Sequence, residues 1–152
     1  MSLYSTVGFG VPFLNEIAPL VARLCVGGMF FLSGYFKLFS AGSADKMQKT
    51  MVEAGIAAPR ETAKFVSVCE FVFGALLIVG LFGSVAALVL LIISLVALIT
   101  VTSKSVEGTS FGYRLSSYLD LPETLLIVIL LWLVAVGPGV WSLDWQLFIP
   151  KV

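Results

Sequence analysis

The sequence predicts an all-α membrane protein: a four-transmembrane-helix bundle with a short interfacial helix between helices one and two. Three observations carry this reading. The 152 residues are 59% hydrophobic and 12% charged, about half the charge of an ordinary soluble domain. The mean hydropathy is +1.07. The apolar residues fall into four runs, 17–39, 65–81, 84–101 and 122–136, and a run of about 20 apolar residues is the length that crosses a bilayer. The length fits a single domain, 1–152.

Helix one reads IAPLVARLCVGGMFFLSGYFKLF, Ile17 to Phe39. Arg23, Gly27, Phe30, Gly34 and Lys37 follow 4-3-4-3 steps and share one stripe. Small residues in such a stripe let a second helix approach closely. Before it, Met1 to Glu16 reads as an irregular or interfacial lead-in, without the basic start and A-x-A site of a cleaved signal peptide.

Ser40 to Lys64 is the longest polar stretch. Ser43 is placed to cap a short helix ending near Gly55. Met47, Met51 and Ile56 form its weak apolar face, with Lys46 and Lys49 opposite, as in a helix lying on a membrane surface. Pro59 breaks it, and Arg60, Glu61 and Lys64 lead into helix two, 65–81. Phe82 and Gly83 make a tight turn, so helix three, 84–101, is the antiparallel neighbour of helix two. Its central polar residue, Ser94, is free to bond its own helix or a neighbour. Thr102 to Leu121 reads as a polar loop with Lys104, Glu107, Arg114 and Asp120. Helix four, 122–136, opens on Pro122, suited to a first turn, and Gly137-Pro138-Gly139 ends it before a short tail.

Four spans put both termini on one side. The opposite side carries Lys37, Lys46, Lys49, Arg60, Lys64, Lys104 and Arg114. The positive-inside rule makes that side cytoplasmic and the termini non-cytoplasmic.

A charge within a span is costly and calls for a partner. Lys37, Glu70 and Glu123 fall within about two turns of the same depth. The reading predicts a Lys37–Glu70 pair with Glu123 close by. At the other end, Arg23 has Glu16 and Asp144 as candidate acids, and the Gly-Pro-Gly turn is placed to bring Asp144 to it. A carboxylate suits the guanidinium fork. Two readings stay open for both clusters: structural clamps between helices, or a ligand or proton site. Gly27, Gly34, Gly74 and Gly80 are the expected helix-packing positions.

Other chemistry has little support. Histidine is absent, which removes the commonest metal ligand and general base, and no metal site is expected. Cys25 and Cys69 form no C-x-x-C, and their depths place them too far apart for a disulfide. Net charge is zero and no basic block suggests nucleic acid. Trp141 and Trp145 suit an interfacial belt, whereas Trp132 lies deeper, packed or facing lipid. No nucleotide loop or serine elbow is present. A faint echo links the two first spans: Arg23, Gly27, Gly34 and Leu38-Phe39 against Glu70, Gly74, Gly80 and Leu81-Phe82.

RLCVGGMFFLSGYFKLF at 23–39, Gly55 to Pro59, CEFVFGALLIVGLF at 69–82, Glu123 and GPGVWSLD at 137–144, taken in order, resemble the DoxX family of small bacterial four-helix membrane proteins. The resemblance implies a membrane subunit or partner of redox enzymes, since the family is named for a membrane subunit of a thiosulfate:quinone oxidoreductase. It assigns no catalytic residues. The expectation is an integral subunit or anchor of a redox assembly in the bacterial inner membrane, not catalytic alone. It would have no cofactor of its own beyond a contacted quinone, hydrogen-bonded by Arg23 or Lys37. Its partners would be lipid, other membrane redox proteins and further copies of itself. A small oligomeric transporter or channel and a purely structural partner are the alternatives.

Overall fold

A computed structural model describes residues 12–100 and 116–148. Among them all regular structure is helical: α1 (Pro12–Phe39), α2 (Ala41–Glu53), α3 (Pro59–Val79), α4 (Gly83–Thr100), α5 (Pro122–Val136) and α6 (Leu143–Phe148). A helical turn at 116–119 precedes α5, within the stretch expected to be loop. Lys104, Glu107 and Arg114 lie outside the described residues.

Among the described residues, three helices are long and apolar enough to cross a membrane: Glu16–Phe39, Pro59–Val79 and Gly83–Thr100. α5 is apolar but has 15 residues, short of the roughly 20 that a bilayer core takes. Its bounds are those the sequence predicts.

Several helix starts differ from expectation. α1 begins at Pro12, before Ile17, and carries Pro19 inside it. α3 begins at Pro59, not Phe65, so Arg60, Glu61 and Lys64 are helical residues. Hydropathy marks where a helix enters apolar surroundings, whereas proline at the first position, with its fixed φ, marks where it starts. α2 likewise starts at Ala41, ahead of Ser43. Ser40 stands at its cap position without a side-chain cap bond.

The α3–α4 turn spans only 80–82. Gly80, at φ 74°, takes the left-handed conformation. The amides of Gly80 and Leu81 both donate to the Leu76 carbonyl, at 2.8 and 3.1 Å, which closes the helix end. Phe82 follows with φ 50°.

α1 packs chiefly on α3, α3 on α4 and α4 on α5, and α1 touches α5, which closes a ring. Its centre is Val26, Phe30, Leu77, Ala86, Ala87, Leu90, Leu91, Leu130 and Leu133. α2 lies across α1 and α3 at the Lys37 end, holding Met51 buried. The outward residues are large and apolar, among them Leu32, Phe65, Ile92, Ile99, Leu125 and Val128. Trp132 is also partly outward.

The α1–α3 seam explains three glycines. A Cβ on Gly34 would lie 2.5 Å from the Phe71 nitrogen and 2.7 Å from the Ser67 carbonyl oxygen. One on Gly74 would lie 2.6 Å from the Phe31 nitrogen, and one on Gly27 would lie 3.0 Å from the Gly74 carbonyl oxygen. The main chains touch directly, which gives dispersion contacts where lipid supplies no hydrophobic drive. Phe31 and Phe71 stack at 4.7 Å beside this contact.

Candidate functional site

Two polar seats lie at opposite ends of the apolar ring. Lys37 is near the last turn of α1, and Glu70 lies within α3. The antiparallel seam brings them together. Lys37 Nζ donates to both carboxylate oxygens, at 2.9 Å to Oε1 and 2.7 Å to Oε2. Ser33, one turn before Lys37, donates to Glu70 Oε2 at 3.2 Å. The Glu70 side chain is 7% exposed and that of Lys37 24%, so the seat opens on the lysine side. Depth matching located the pair. Ser33 was missed, although its i−4 spacing from Lys37 places it on the same face.

Glu123 does not join this pair. Its Oε2 is buried without a hydrogen-bond partner among the described residues. Depth is one coordinate only, and an acid on a different helix must also face the right way around the ring.

The second seat corrects the expected Arg23–acid pair. Arg23 is 1% exposed, and its Nη2 donates to the Trp141 carbonyl at 2.8 Å. Neither Glu16 nor Asp144 forms an ion pair with it among the described residues, and Glu16 is exposed. Nε and Nη1 have no hydrogen-bond partner among the described residues. The tail does fold back as expected: Gly137 and Gly139 take positive φ, and Gly139 packs on Pro19. Asp144 then goes to the start of α4. Its Oδ1 accepts from the Phe82 amide and its Oδ2 from the Gly83 amide, both at 2.7 Å. These N–H groups stand at the start of α4, where the helix itself supplies no acceptor and its dipole is positive, and they hold the carboxylate that Arg23 was expected to take.

Gly80 is corrected too. It is not a helix-packing glycine but the turn residue against which Arg23 lies; a Cβ there would run into Nη1. Ser142, 1% exposed, was also missed. It donates to the Gly139 carbonyl at 2.7 Å and accepts from the Trp145 amide at 3.1 Å, the geometry of a helix cap. Serine just ahead of Leu143-Asp144 was the available signal.

Cys25 and Cys69 are free thiols, as their depths required. Ser94 bonds back to the Leu90 carbonyl of its own helix at 2.9 Å. No group of three or more potential metal ligands occurs among the described residues.

Apolar spans, outward-facing large hydrophobics and a partly buried Lys37–Glu70 pair define a multi-pass helical membrane protein. The chain belongs to the DoxX family, whose family model matches residues 18–103, more than half of its length. The matched stretch holds Arg23, Lys37, Glu70 and the seam glycines; Glu123 and the Gly137–Asp144 tail lie beyond it. No curated protein and no solved structure matches the chain.

Proposed function

We propose that the chain is a membrane-embedded subunit or anchor of a redox assembly, and that it does no chemistry alone. One observation carries this reading over a transporter or channel. Between the two polar seats the ring is filled by side chains such as Ala86, Ala87, Leu90 and Leu130, each 0% exposed. A solute path through one copy would need polar lining there. The redox assignment draws on the family resemblance.

In this proposal α5 is the fourth span. Its 15 residues cover roughly 22 Å, so the bilayer thins slightly around it. α2 lies in the interface. The cations Lys37, Lys46, Lys49, Arg60 and Lys64 support a cytoplasmic α2 end in a bacterial inner membrane, by the positive-inside rule.

A contacted quinone fits the Lys37 seat and not the Arg23 seat. Arg23 is walled in by Gly80, Ser142 and the Trp141 carbonyl. Beside Lys37 a cleft of about 350 Å³ is lined by Ser33, Phe36, Met47 and Thr50. Lys37 has three N–H donors and directs its hydrogen bonds at the two Glu70 oxygens, so one donor is left for a carbonyl. A quinone supplies two-electron carriage when bound; Lys37 and Phe36 would orient it.

Native mass spectrometry of the protein, gently extracted from its own membrane, tests the reading. A stoichiometric partner bearing a redox cofactor, or a retained quinone, is the expected result. A bare monomer or homo-oligomer carrying phospholipid alone would overturn it.

A further inference from the structure

A second cleft lies on the other side of α2, with a volume of about 380 Å³, between α2 and the first turns of α3. Its size is that of a small-ligand site. Lys37 and Met47 line both clefts. The second also holds Arg60 and Lys64 from α3, and Asp45 and Gln48 from α2. Among the described residues, Arg60, Lys64 and Asp45 form no ion pair. Lys37 is already neutralised by Glu70. The cleft therefore offers two uncommitted cations and one uncommitted carboxylate.

The stripe that carries the cations continues downward. Arg60, Lys64, Val68 and Val72 recur at intervals of four on α3, so they lie on one inclined row. Val68 and Val72 are outward and apolar, 46% and 43% exposed. Charged groups at the helix end thus lead directly into a lipid-facing hydrocarbon track.

We propose that this cleft binds the headgroup of phosphatidylethanolamine. Arg60 and Lys64 hold the phosphate, for which the arginine fork is suited. Asp45 accepts a hydrogen bond from the primary ammonium, and an acyl chain runs along Val68 and Val72. The carboxylate decides between lipids. Phosphatidylglycerol would place no cation at Asp45, and the quaternary ammonium of phosphatidylcholine has no N–H to donate. This inference does not rest on the redox reading, and its outcome leaves that reading untouched.

The test is native mass spectrometry of the purified full chain exchanged into micelles with equimolar phosphatidylethanolamine, phosphatidylglycerol and phosphatidylcholine of the same acyl composition. The wild type is expected to retain phosphatidylethanolamine preferentially. Arg60→Gln with Lys64→Gln is expected to lower that retention by about tenfold or more, since each basic residue contributes to phosphate attraction. Arg60→Lys should keep most of it. Asp45→Asn should erase the preference over phosphatidylglycerol; if the double variant does not fold, this arm alone decides. Equal retention of the three lipids by the wild type, or unchanged retention by the double variant, would overturn the proposal. Complete displacement of the lipid by millimolar inorganic phosphate would overturn it as well, assigning the cleft to a free anion.

Discussion

Gly27 and Gly74 face each other across the α1–α3 seam, so close that a Cβ on either would lie 3.0 Å from the other's carbonyl oxygen. The depth of both polar seats depends on this contact. It sets the register in which Lys37 meets Glu70 at one end and Arg23 meets the 80–82 turn at the other.

Gly34→Ala should therefore destabilise the protein by about 1–3 kcal/mol, the usual cost of overpacking, because its Cβ would press on backbone that has no rotamer to change. Gly28→Ala is the contrast. Nothing lies within 4 Å of that Cβ position, and alanine is the better helix former. Thermal unfolding in detergent should show a lower midpoint for the first and an equal or higher one for the second.

Lys37→Met should cost more than Glu70→Gln. Removing the lysine leaves a 7% exposed carboxylate without its cation, a loss toward the lower end of about 3–5 kcal/mol given the partial exposure of Lys37. The double variant Lys37→Met with Glu70→Leu should recover much of that stability. Yield of monodisperse protein on size exclusion measures this. Normal folding of Lys37→Met, with loss only of partner or ligand binding, would refute the clamp.

Gly80→Ala and Gly55→Ala separate backbone strain from contact. Both glycines have φ 74°, where a side chain costs roughly 1–2 kcal/mol. Only Gly80 has neighbours, the Arg23 guanidinium and the Ser142 Cβ, the latter at 2.7 Å. The Gly80 variant should unfold at a clearly lower temperature than the Gly55 variant. Equal midpoints would show that both neighbours move aside without cost.

Asp144→Ala should remove about 0.5–2 kcal/mol, the usual worth of a helix-start acceptor, with Asp144→Asn milder. Hydrogen exchange should accelerate locally at the Phe82 and Gly83 amides, the two donors that Asp144 holds. Unchanged protection there would show that the tail does not dock on this turn.

Much of the molecule was legible in its residues. The four apolar runs, the glycine stripe on α1 and the bounds 122–136 follow from periodicity and from proline and glycine at helix ends. The Lys37–Glu70 pair was legible because both charges lie near the same end of their apolar runs, and a charge inside an apolar run must find its opposite. The start of α3 was not legible in hydropathy, because its first two turns carry Arg60, Glu61 and Lys64.

The sequence by itself determined the membrane class, the helix faces and the partner of Lys37, since these depend on composition, helical period and depth. Only the tertiary structure decided the Arg23 end. There a carboxylate had two competing claimants, a guanidinium and the helix-start amides of α4, and depth alone does not rank them. Positive φ at Gly137 and Gly139, and packing of Gly139 on Pro19, aim Asp144 at the amides and leave Arg23 the Trp141 carbonyl. Orientation around the bundle axis, which a one-dimensional pattern does not carry across a long connection, also decided that Glu123 forms no ion pair with Lys37 among the described residues.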